Sequence, residues 1–451
     1  MEKQEVPEGM FEGVISRYLP DPSEIDRKKG IARKLMGNLD SEIRKRGIKA
    51  DTILVGSIAR GTSLKNSDID IFIRFSSDYS REELERHGLE LGFSIFPKAV
   101  PRYAEHPYVS SILEDTKVDI VPCYRIEVNS GTISSVDRTP LHTIYMQGKL
   151  DESKIKEVVL LKLFLKRQGI YGSELRTEGF SGYVCELIVL HFGSFLNFLE
   201  HISTLQGKLI LDQREKRFSS PVVIVDPVDS SRNAAAAVSL DSLSILKAAS
   251  RLFFSNPDED FFNFDQVPEK KNVFPERGTH LLSMKMKRPD IVDDILYPQM
   301  KLACRKIKDF SKINELPLMN IFPYVDSESI TILMEFSSPS LPAIEKRVGP
   351  PAGNQNIVAF ITKHMESEDY ARGPYVEEGR IVIELRRKYT QFHDIFMENM
   401  NHINFGKNLN RLKIKSIISH NQEEIKKSDA YNVFLKEERP YLSSGKNLKK
   451  K

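Results

Sequence analysis

The stretch GSIARGTSLKNSDIDIF, Gly56 to Phe72, decides how this chain is read. At its right-hand end Asp68 and Asp70 alternate with Ile69, Ile71 and, one step beyond, Ile73. A strand sends alternate side chains to opposite faces. The isoleucines therefore enter a core, and the two carboxylates project together from the other face. Neighbouring carboxylates repel each other. A divalent cation relieves that repulsion, and hard oxygen ligands suit Mg2+. At the left-hand end Gly56 and Ser57 follow a strand, Thr52 to Val55, and precede a short helix. Small residues there let backbone N–H groups approach a phosphate. Arg60 lies one turn on and can pair with phosphate oxygens. No Lys-Ser/Thr follows Gly61, so the segment is not a P-loop and must hold a triphosphate differently.

A third carboxylate, Asp119 in KVDIVP, is flanked by Val118 and Ile120 and again faces away from the core. Three strand-borne carboxylates suffice for two ions, one to activate a 3′-hydroxyl and one to stabilise leaving pyrophosphate. Alone, an Asp-x-Asp is usually a solvated strand edge and a Gly-Ser is usually a turn. Their spacing, joining a phosphate loop to a metal strand, is what gives the combination its weight.

Working outward, Pro20 and Pro22 precede a helical pattern through Ile25, Ala32, Leu35, Met36, Leu39 and Ile43, which Gly47 can end. Ile69 to Phe75 reads as a strand. Ser80 and Glu83 have capping-box spacing, and Gly88 or Gly92 can end the helix that follows. Lys117 to Pro122 is a further strand. A small mixed α/β section thus fills roughly the first third. Ser153 to Gln168 is strongly helical and ends at Gly169; helical patterns continue to Phe198 and from Asp241 to Phe254, so the middle is mainly α. Asn256 to Glu276, rich in Asp, Pro, Phe and Lys, reads as a boundary. Beyond it lie a strand at Leu282 to Lys287 and a helix at Pro298 to Phe310 with its proline in the first turn. Strands at Ile330 to Phe336 and Ile381 to Leu385 flank a loop at Gly349-Pro350-Pro351. The expected organisation is α+β and multidomain. It comprises a mixed-sheet section at 1–148, a mainly helical one at 149–258, a body at 259–317 with 390–451, and a tail at 318–389.

A length of 451 residues, 40% hydrophobic and 29% charged, fits several globular domains. No stretch reaches membrane-span length, and Met1 to Arg17 has no apolar signal core. Cys123, Cys185 and Cys304 lie far apart, with neither a zinc spacing nor a disulfide framework, which suits a reducing cytoplasm. The net charge is only +3, but basic groups cluster late: Lys285 to Arg288, Lys301 to Lys308, Arg386 to Lys388 and Lys446 to Lys451. One such cluster is ordinarily solvated surface; several in one half point to a phosphate backbone.

Gly-Ser, a short spacer, Asp-x-Asp on the next strand and a later Asp together resemble the polymerase-β-like nucleotidyltransferases. More widely, RYAEHPYV from Arg102, VDIVPCY from Val118, VDRTPLH from Val136 and GIYG from Gly169 resemble archaeal, class I CCA-adding enzymes. So do GFSGYVCEL from Gly179, VDPVDSSRN from Val225 and RPDIVDDILYPQ from Arg288. The likeness runs from about Glu8 to the last hundred residues; the Arg-Arg-Asp element of class II enzymes is not evident. Some relatives carry Glu where this chain has Asp68, and either carboxylate can bind metal.

The resemblance implies a polymerase-β-like catalytic domain, a helical centre and an α+β RNA-binding region. It implies addition of C, C and A to tRNA from CTP and ATP, with Mg2+ held by Asp68, Asp70 and Asp119. It places Gly56, Ser57 and Arg60 at the triphosphate, Thr139 and His142 at the incoming nucleotide, Lys162 and Tyr171 at the triphosphate from the central section, and Arg232 and Asn233 near the base. It implies a grip on the acceptor and T arms of tRNA by the basic last third, with Ile381 to Lys388 a candidate surface, and leaves a homodimer open. Each residue has a plainer alternative: a surface histidine for His142, a solvated helix lysine for Lys162, a packing aromatic for Tyr171, an ion pair to Asp229 for Arg232. A poly(A) polymerase-like enzyme and a catalytically inactive RNA-binding relative are the competing readings. A small-molecule transferase would leave the basic α+β region without a purpose.

Overall fold

Pro22 opens a long helix at the one turn where its missing N–H costs nothing. In the computed structural model, which describes residues 4–103, 105–128, 133–211, 218–264, 276–413 and 416–436, this helix is α2, Pro22–Lys45, preceded by α1, Met10–Tyr18. Ile31, Ala32, Leu35, Leu39 and Ile43 form its buried stripe, and Gly47 turns the chain at φ +66°. Contacts divide the chain into two compact units, one within Met1–Pro268 and one within Glu269–Glu438.

The first unit carries a five-stranded mixed sheet of β1 (Ala50–Val55), β2 (Ile69–Phe75), β3 (Val100–Tyr103), β4 (Pro107–Leu113) and β5 (Thr116–Tyr124), in the order β1-β2-β5-β4-β3. Only β2 and β5 run parallel, with Asp70 in register with Asp119. Ile69, Ile71, Ile73, Val118 and Ile120 are fully buried against α2 and α4, Arg81–Ile95. Each such side chain contributes roughly 1.5–3 kcal/mol to holding the sheet.

Helix α4 begins at the expected capping box, with Ser80 and Glu83 bonded reciprocally. It does not end at Gly88 or Gly92; both lie inside it. A Cβ on Gly88 would meet Pro122 at 2.6 Å, and one on Gly92 would meet Val109 at 2.5 Å. These glycines let the helix lie directly on the sheet. Gly92→Ala is expected to lower stability by about 1–3 kcal/mol through overpacking, read as a fall in the thermal midpoint.

After the short α3, Gly56–Arg60, and α5, Arg138–Met146, the unit continues with α6 (Glu152–Arg167), α7 (Gly182–Phe192), α8 (Phe195–Thr204) and α9 (Leu240–Ser255). Two small sheets interrupt these helices: β6 (Leu209–Ile210) with β7 (Val222–Val223), and β8 (Val225–Asp226) with β9 (Asp229–Asn233). The helical core is dense in phenylalanine, with Phe164, Phe195, Phe253, Phe261 and Phe262 buried edge-on or stacked. Met10, Val14 and Tyr18 of α1 join this helical core although they come first in sequence.

The second unit contains a four-stranded sheet, β11-β12-β10-β16, built from β10 (His280–Lys287), β11 (Leu318–Val325), β12 (Ser329–Phe336) and β16 (Ile417–Ser419). It packs against α10, Asp293–Ile313, and the short helices α12 (Phe392–Asn399) and α13 (Lys407–Lys413). α10 begins earlier than Pro298, which is interior; the N–H that proline lacks is dispensable only in the first turn, so the helix accommodates the ring there at some cost. A separate three-stranded sheet, β13-β15-β14, consists of β13 (Ile344–Pro351), β14 (Tyr370–Glu377) and β15 (Arg380–Arg386), with α11, Ile357–Met365, against it. Gly349 to Pro351 is thus the end of a strand and not a loop. The register shifts between Val348 and Pro351, which frees the prolines from ladder donation. β11 and β12, inside the stretch expected as tail, hydrogen-bond into the sheet of β10. The last elements are α14, Gln422–Lys427, and α15, Asp429–Lys436. Lys446 to Lys451 and most of the boundary at Asn256 to Glu276 lie outside the described residues.

No single helix among the described residues is long and apolar enough to cross a membrane. Cys123, Cys185 and Cys304 are buried free thiols.

Candidate active site

Alternation along β2 does what the sequence dictates: isoleucines go inward, and Asp68 and Asp70 go to the opposite side. β5 then sets Asp119 beside Asp70. Asp68 is exposed, Asp70 half-buried and Asp119 buried. Burial, followed by the charges of Asp119 and Asp68, pushes the Asp70 carboxyl up to about 7; Lys117 and Arg60 act in the opposite sense. Lys117, on β5, reaches Asp119 Oδ2 at 2.7 Å and Asp68 Oδ2 at 3.2 Å. Ser110 donates to Asp119 Oδ1 at 2.6 Å.

Among the described residues, no three acidic, histidine or cysteine side chains surround one ion-sized point. Asp70 and Asp119 lie in register on the adjacent interior strands β2 and β5, Asp68 just precedes β2, and the Lys117 ammonium stands between Asp68 and Asp119. Three carboxylates against that one ammonium leave surplus negative charge on hard oxygens, which adds to burial in raising the proton affinity of Asp70. The donor set fits a hard divalent cation.

Gly56 explains itself in this setting. Its φ is +77°, and a Cβ there would stand 2.3 Å from Asp70 Oδ2. Only glycine lets the turn before α3 come this close to the carboxylate.

A cavity of about 500 Å3 opens beside Asp68 and Asp70, with Asp119 outside its lining. Ser57, Asp68, Asp70, Lys162 and Tyr171 line it, with Thr62, Lys166 and Glu174. Its size lies within the range of small-molecule sites. Lys162 is buried on α6 and donates to Thr62 O at 2.7 Å and Thr62 Oγ1 at 3.0 Å. Burial pulls its pKa below that of an ordinary lysine, opposed by Glu186. Burial also raises the Tyr171 hydroxyl, which stays protonated.

Arg60 does not line this cavity. Its Nε stands 2.7 Å from Glu186 Oε2 in a buried charge contact, and Nη1 donates to Thr143 Oγ1 at 3.2 Å. Thr143 follows His142 on α5, and Thr139 lies one turn earlier.

His142 belongs to a second cluster. Its Nε2 is 2.8 Å from Asp226 Oδ2, and its ring stacks on Tyr183 with centroids 3.9 Å apart. Burial lowers its pKa, partly countered by Asp226. Arg232 Nη1 donates to the same Asp226 oxygen at 2.8 Å, while part of its side chain remains exposed. The carboxylate that Arg232 pairs with is thus Asp226; Asp229 pairs with Arg138. Asn233 has another task than base contact. It is buried, accepts from the N–H groups of Ile224 and Ala235, and donates to Val222 O. It braces its own loop through these three bonds.

Sequence reasoning missed Glu186, Asp226 and Lys117. Glu186 left one signal: a lone carboxylate in the apolar helix GYVCELIVLHF. Among the basic clusters, Arg387 is paired with Glu345 and Glu315, and Lys388 with Glu398. Arg386 is exposed, as are Lys285, Lys287, Arg305, Lys306 and Lys308.

Three family models match the chain: a nucleotidyltransferase domain over residues 37–142, the second domain of tRNA nucleotidyltransferase over 156–263, and the C-terminal domain of CCA-adding enzyme over 277–420. The chain is 40% identical to the CCA-adding enzyme of Thermoplasma volcanium, covering 92% of this chain and 94% of that one. It is 40% identical to that of Picrophilus torridus, over 94% and 99% of the respective lengths. With that of Archaeoglobus fulgidus it shares 36% identity over 85% and 87%.

Proposed function

The chain belongs to the archaeal-type, class I CCA-adding enzymes, and from that premise we propose how its residues divide the work of extending a tRNA 3′ end. The reaction is template-independent addition of C, C and A from CTP and ATP with release of pyrophosphate, and it uses a divalent metal ion. The residue roles, the identity of the ion as Mg2+ and the mode of tRNA binding are our reading.

Asp68, Asp70 and Asp119 hold the ions. The observation that carries this is the register of Asp70 with Asp119; burial, then the neighbouring charges of Asp119 and Asp68, push the Asp70 carboxyl up to about 7. Held by these residues, Mg2+ would supply activation of the primer 3′-hydroxyl and neutralisation of the leaving pyrophosphate. Asp119, positioned by Ser110, also assists removal of the hydroxyl proton. Ser57, Lys162 and Tyr171 bind the triphosphate within the cavity. Arg60 adds positive potential from behind, since its charge is felt at Asp70. Catalysis of this kind rests on positioning and charge neutralisation.

Thr139, His142 and Arg232 serve the nucleotide's other end. Cytosine and adenine each present an exocyclic amine beside a ring-nitrogen acceptor, whereas uracil and guanine present the reverse order. Arg232, steadied by Asp226, offers the donor, and an RNA phosphate offers the acceptor. Arg232→Ala is expected to lower the preference for C and A over U and G by about tenfold or more. Single-nucleotide incorporation assays would check this, and unchanged selectivity would remove Arg232 from the role.

We assign residues 1–148 to the catalytic section and 149–258 to the helical section, although α1 packs with the latter. The body includes β11 and β12, and the tail narrows to the sheet of β13 to β15 with α11. The exposed bases on β10 and α10, with Arg386, meet the acceptor and T arms through A-form shape and backbone. A cytoplasmic location fits the buried free thiols.

The deciding experiment supplies tRNA lacking its last three nucleotides with each nucleotide separately. CTP alone should add two residues, and ATP should then add one. A long homopolymer would favour the poly(A) polymerase-like reading.

A further inference from the structure

We propose that Glu186 is a positioning residue for the phosphate end of the nucleotide site, its buried carboxylate fixing the place and charge of Lys162 and Arg60. The inference rests on reading Lys162 as a triphosphate ligand.

Glu186 lies on α7, whose neighbouring residues Tyr183, Val184, Cys185, Leu187, Ile188 and Val189 are buried. The Glu186 side chain is itself fully buried. A carboxylate in such a place persists only if it is compensated. Its Oε1 accepts from Thr62 Oγ1 at 2.5 Å and stands 3.9 Å from Lys162 Nζ. Its Oε2 faces Arg60 Nε at 2.7 Å. Thr62 in turn accepts from Lys162, so α7, α6 and the loop after α3 close one network around a single carboxylate.

The charge count within this network is uneven. Two cations face one anion, leaving one positive charge uncompensated. Lys162 lines the cavity that Ser57, Asp68 and Asp70 also line, so once divalent ions meet the aspartates' charge, a triphosphate there would take up the excess positive charge of this network. Gly182 leaves room there: a Cβ would lie 3.1 Å from the Tyr171 hydroxyl and 3.5 Å from Lys162 Nζ.

Glu186 also determines how long Lys162 stays charged as pH rises. The groups acting on Lys162 are Glu186, the Cys185 thiol, Arg60 and Lys166. Burial, Arg60 and Lys166 all favour loss of its proton. Cys185, with a thiol pushed up to about 12, is neutral at working pH. Among these groups Glu186 is the one whose charge favours the ammonium; the two Thr62 oxygens accept from it as well, and Asp68, Asp70 and Glu174 line the cavity it faces. Without its charge, Lys162 should titrate at lower pH and triphosphate affinity should fall on the alkaline side first.

The test measures ATP binding to the full chain with Mg2+ and without RNA, at pH 6.5 and 8.5, with thermal unfolding alongside. Glu186→Gln should bind within about twofold of the wild type at pH 6.5 and about tenfold more weakly at pH 8.5, one pKa unit being tenfold. Lys162→Met should be weak at both values, and adding Glu186→Gln to it should change nothing further. Should Glu186→Gln fail to fold, Glu186→Asp decides. Its carboxylate is drawn back by one carbon, and it should show a smaller loss of about threefold, confined to pH 8.5. Equal loss at both pH values, or no loss in a Glu186 variant while Lys162→Met is weak, overturns the proposal. If Lys162→Met binds ATP like the wild type, the premise itself fails and the proposal with it.

Discussion

Asp70→Asn should abolish nucleotide addition, by at least about a thousandfold, while making the metal-free protein more stable. The loss follows from removing the central carboxylate of the proposed metal site. The gain follows from electrostatics. Asp70 has its carboxyl raised from 3.8 to about 7 by burial and by Asp119 and Asp68. The folded state therefore binds the Asp70 proton more tightly than the unfolded state does. This contribution is fully present below pH 4 and is lost as pH rises to about 7, so at pH 8 the ionised group destabilises the fold. Asparagine removes that cost. Allowing for water at a half-buried carboxylate, the gain is roughly 1–3 kcal/mol at pH 8. Thermal unfolding without metal at pH 4 and pH 8 would reveal it as a difference that is small at the lower pH and largest at the higher. Mg2+ should raise the midpoint of the wild type more than that of the variant.

Gly56→Ala should lower activity by about a hundredfold or more without unfolding the protein. An alanine Cβ would meet Asp70 Oδ2 at 2.3 Å, and φ +77° is strained for any L side chain. The strain costs about 1 kcal/mol, which a domain of this size tolerates. The carboxylate must retreat by about 1 Å to restore contact distance, and misplacement on that scale costs about a hundredfold in reactions that depend on positioning. Single-turnover kinetics on trimmed tRNA would measure this. Wild-type rates with alanine in place would mean that Asp70 need not sit where the fold holds it.

Strand alternation made the fold of the first section legible. Ile69, Ile71 and Ile73 could only be inward, so Asp68 and Asp70 had to share the other face. The capping box at Ser80 and Glu83 was equally plain because it is local. Gly88 and Gly92 were misleading for a physical reason: glycine serves both as a helix stop and as a place for another chain to approach, and the approaching Pro122 and Val109 lie far along the sequence. Pro298 and Gly349-Pro350-Pro351 misled similarly, since tertiary packing and a shifted register admit prolines that local propensity would exclude.

The site divides along the same line. Asp68, Asp70, Asp119 and Gly56 announce themselves through spacing. Glu186 does not, because its partners Thr62 and Arg60 are more than a hundred residues away, and a single charge in an apolar helix names no partner. Arg232 and Asn233 are adjacent in sequence, yet β9 turns one toward Asp226 and the other into backbone bonds. Nothing in a single sequence distinguishes those two fates.

Titration of the RNA-free chain with Mn2+, followed by loss of the free-ion paramagnetic resonance signal, tests the central claim most directly. Saturable binding by the wild type, abolished in Asp70→Asn and weakened in Asp119→Asn, is the result expected. Undiminished binding by both variants would contradict it, since the ion would then reside somewhere other than on these strands.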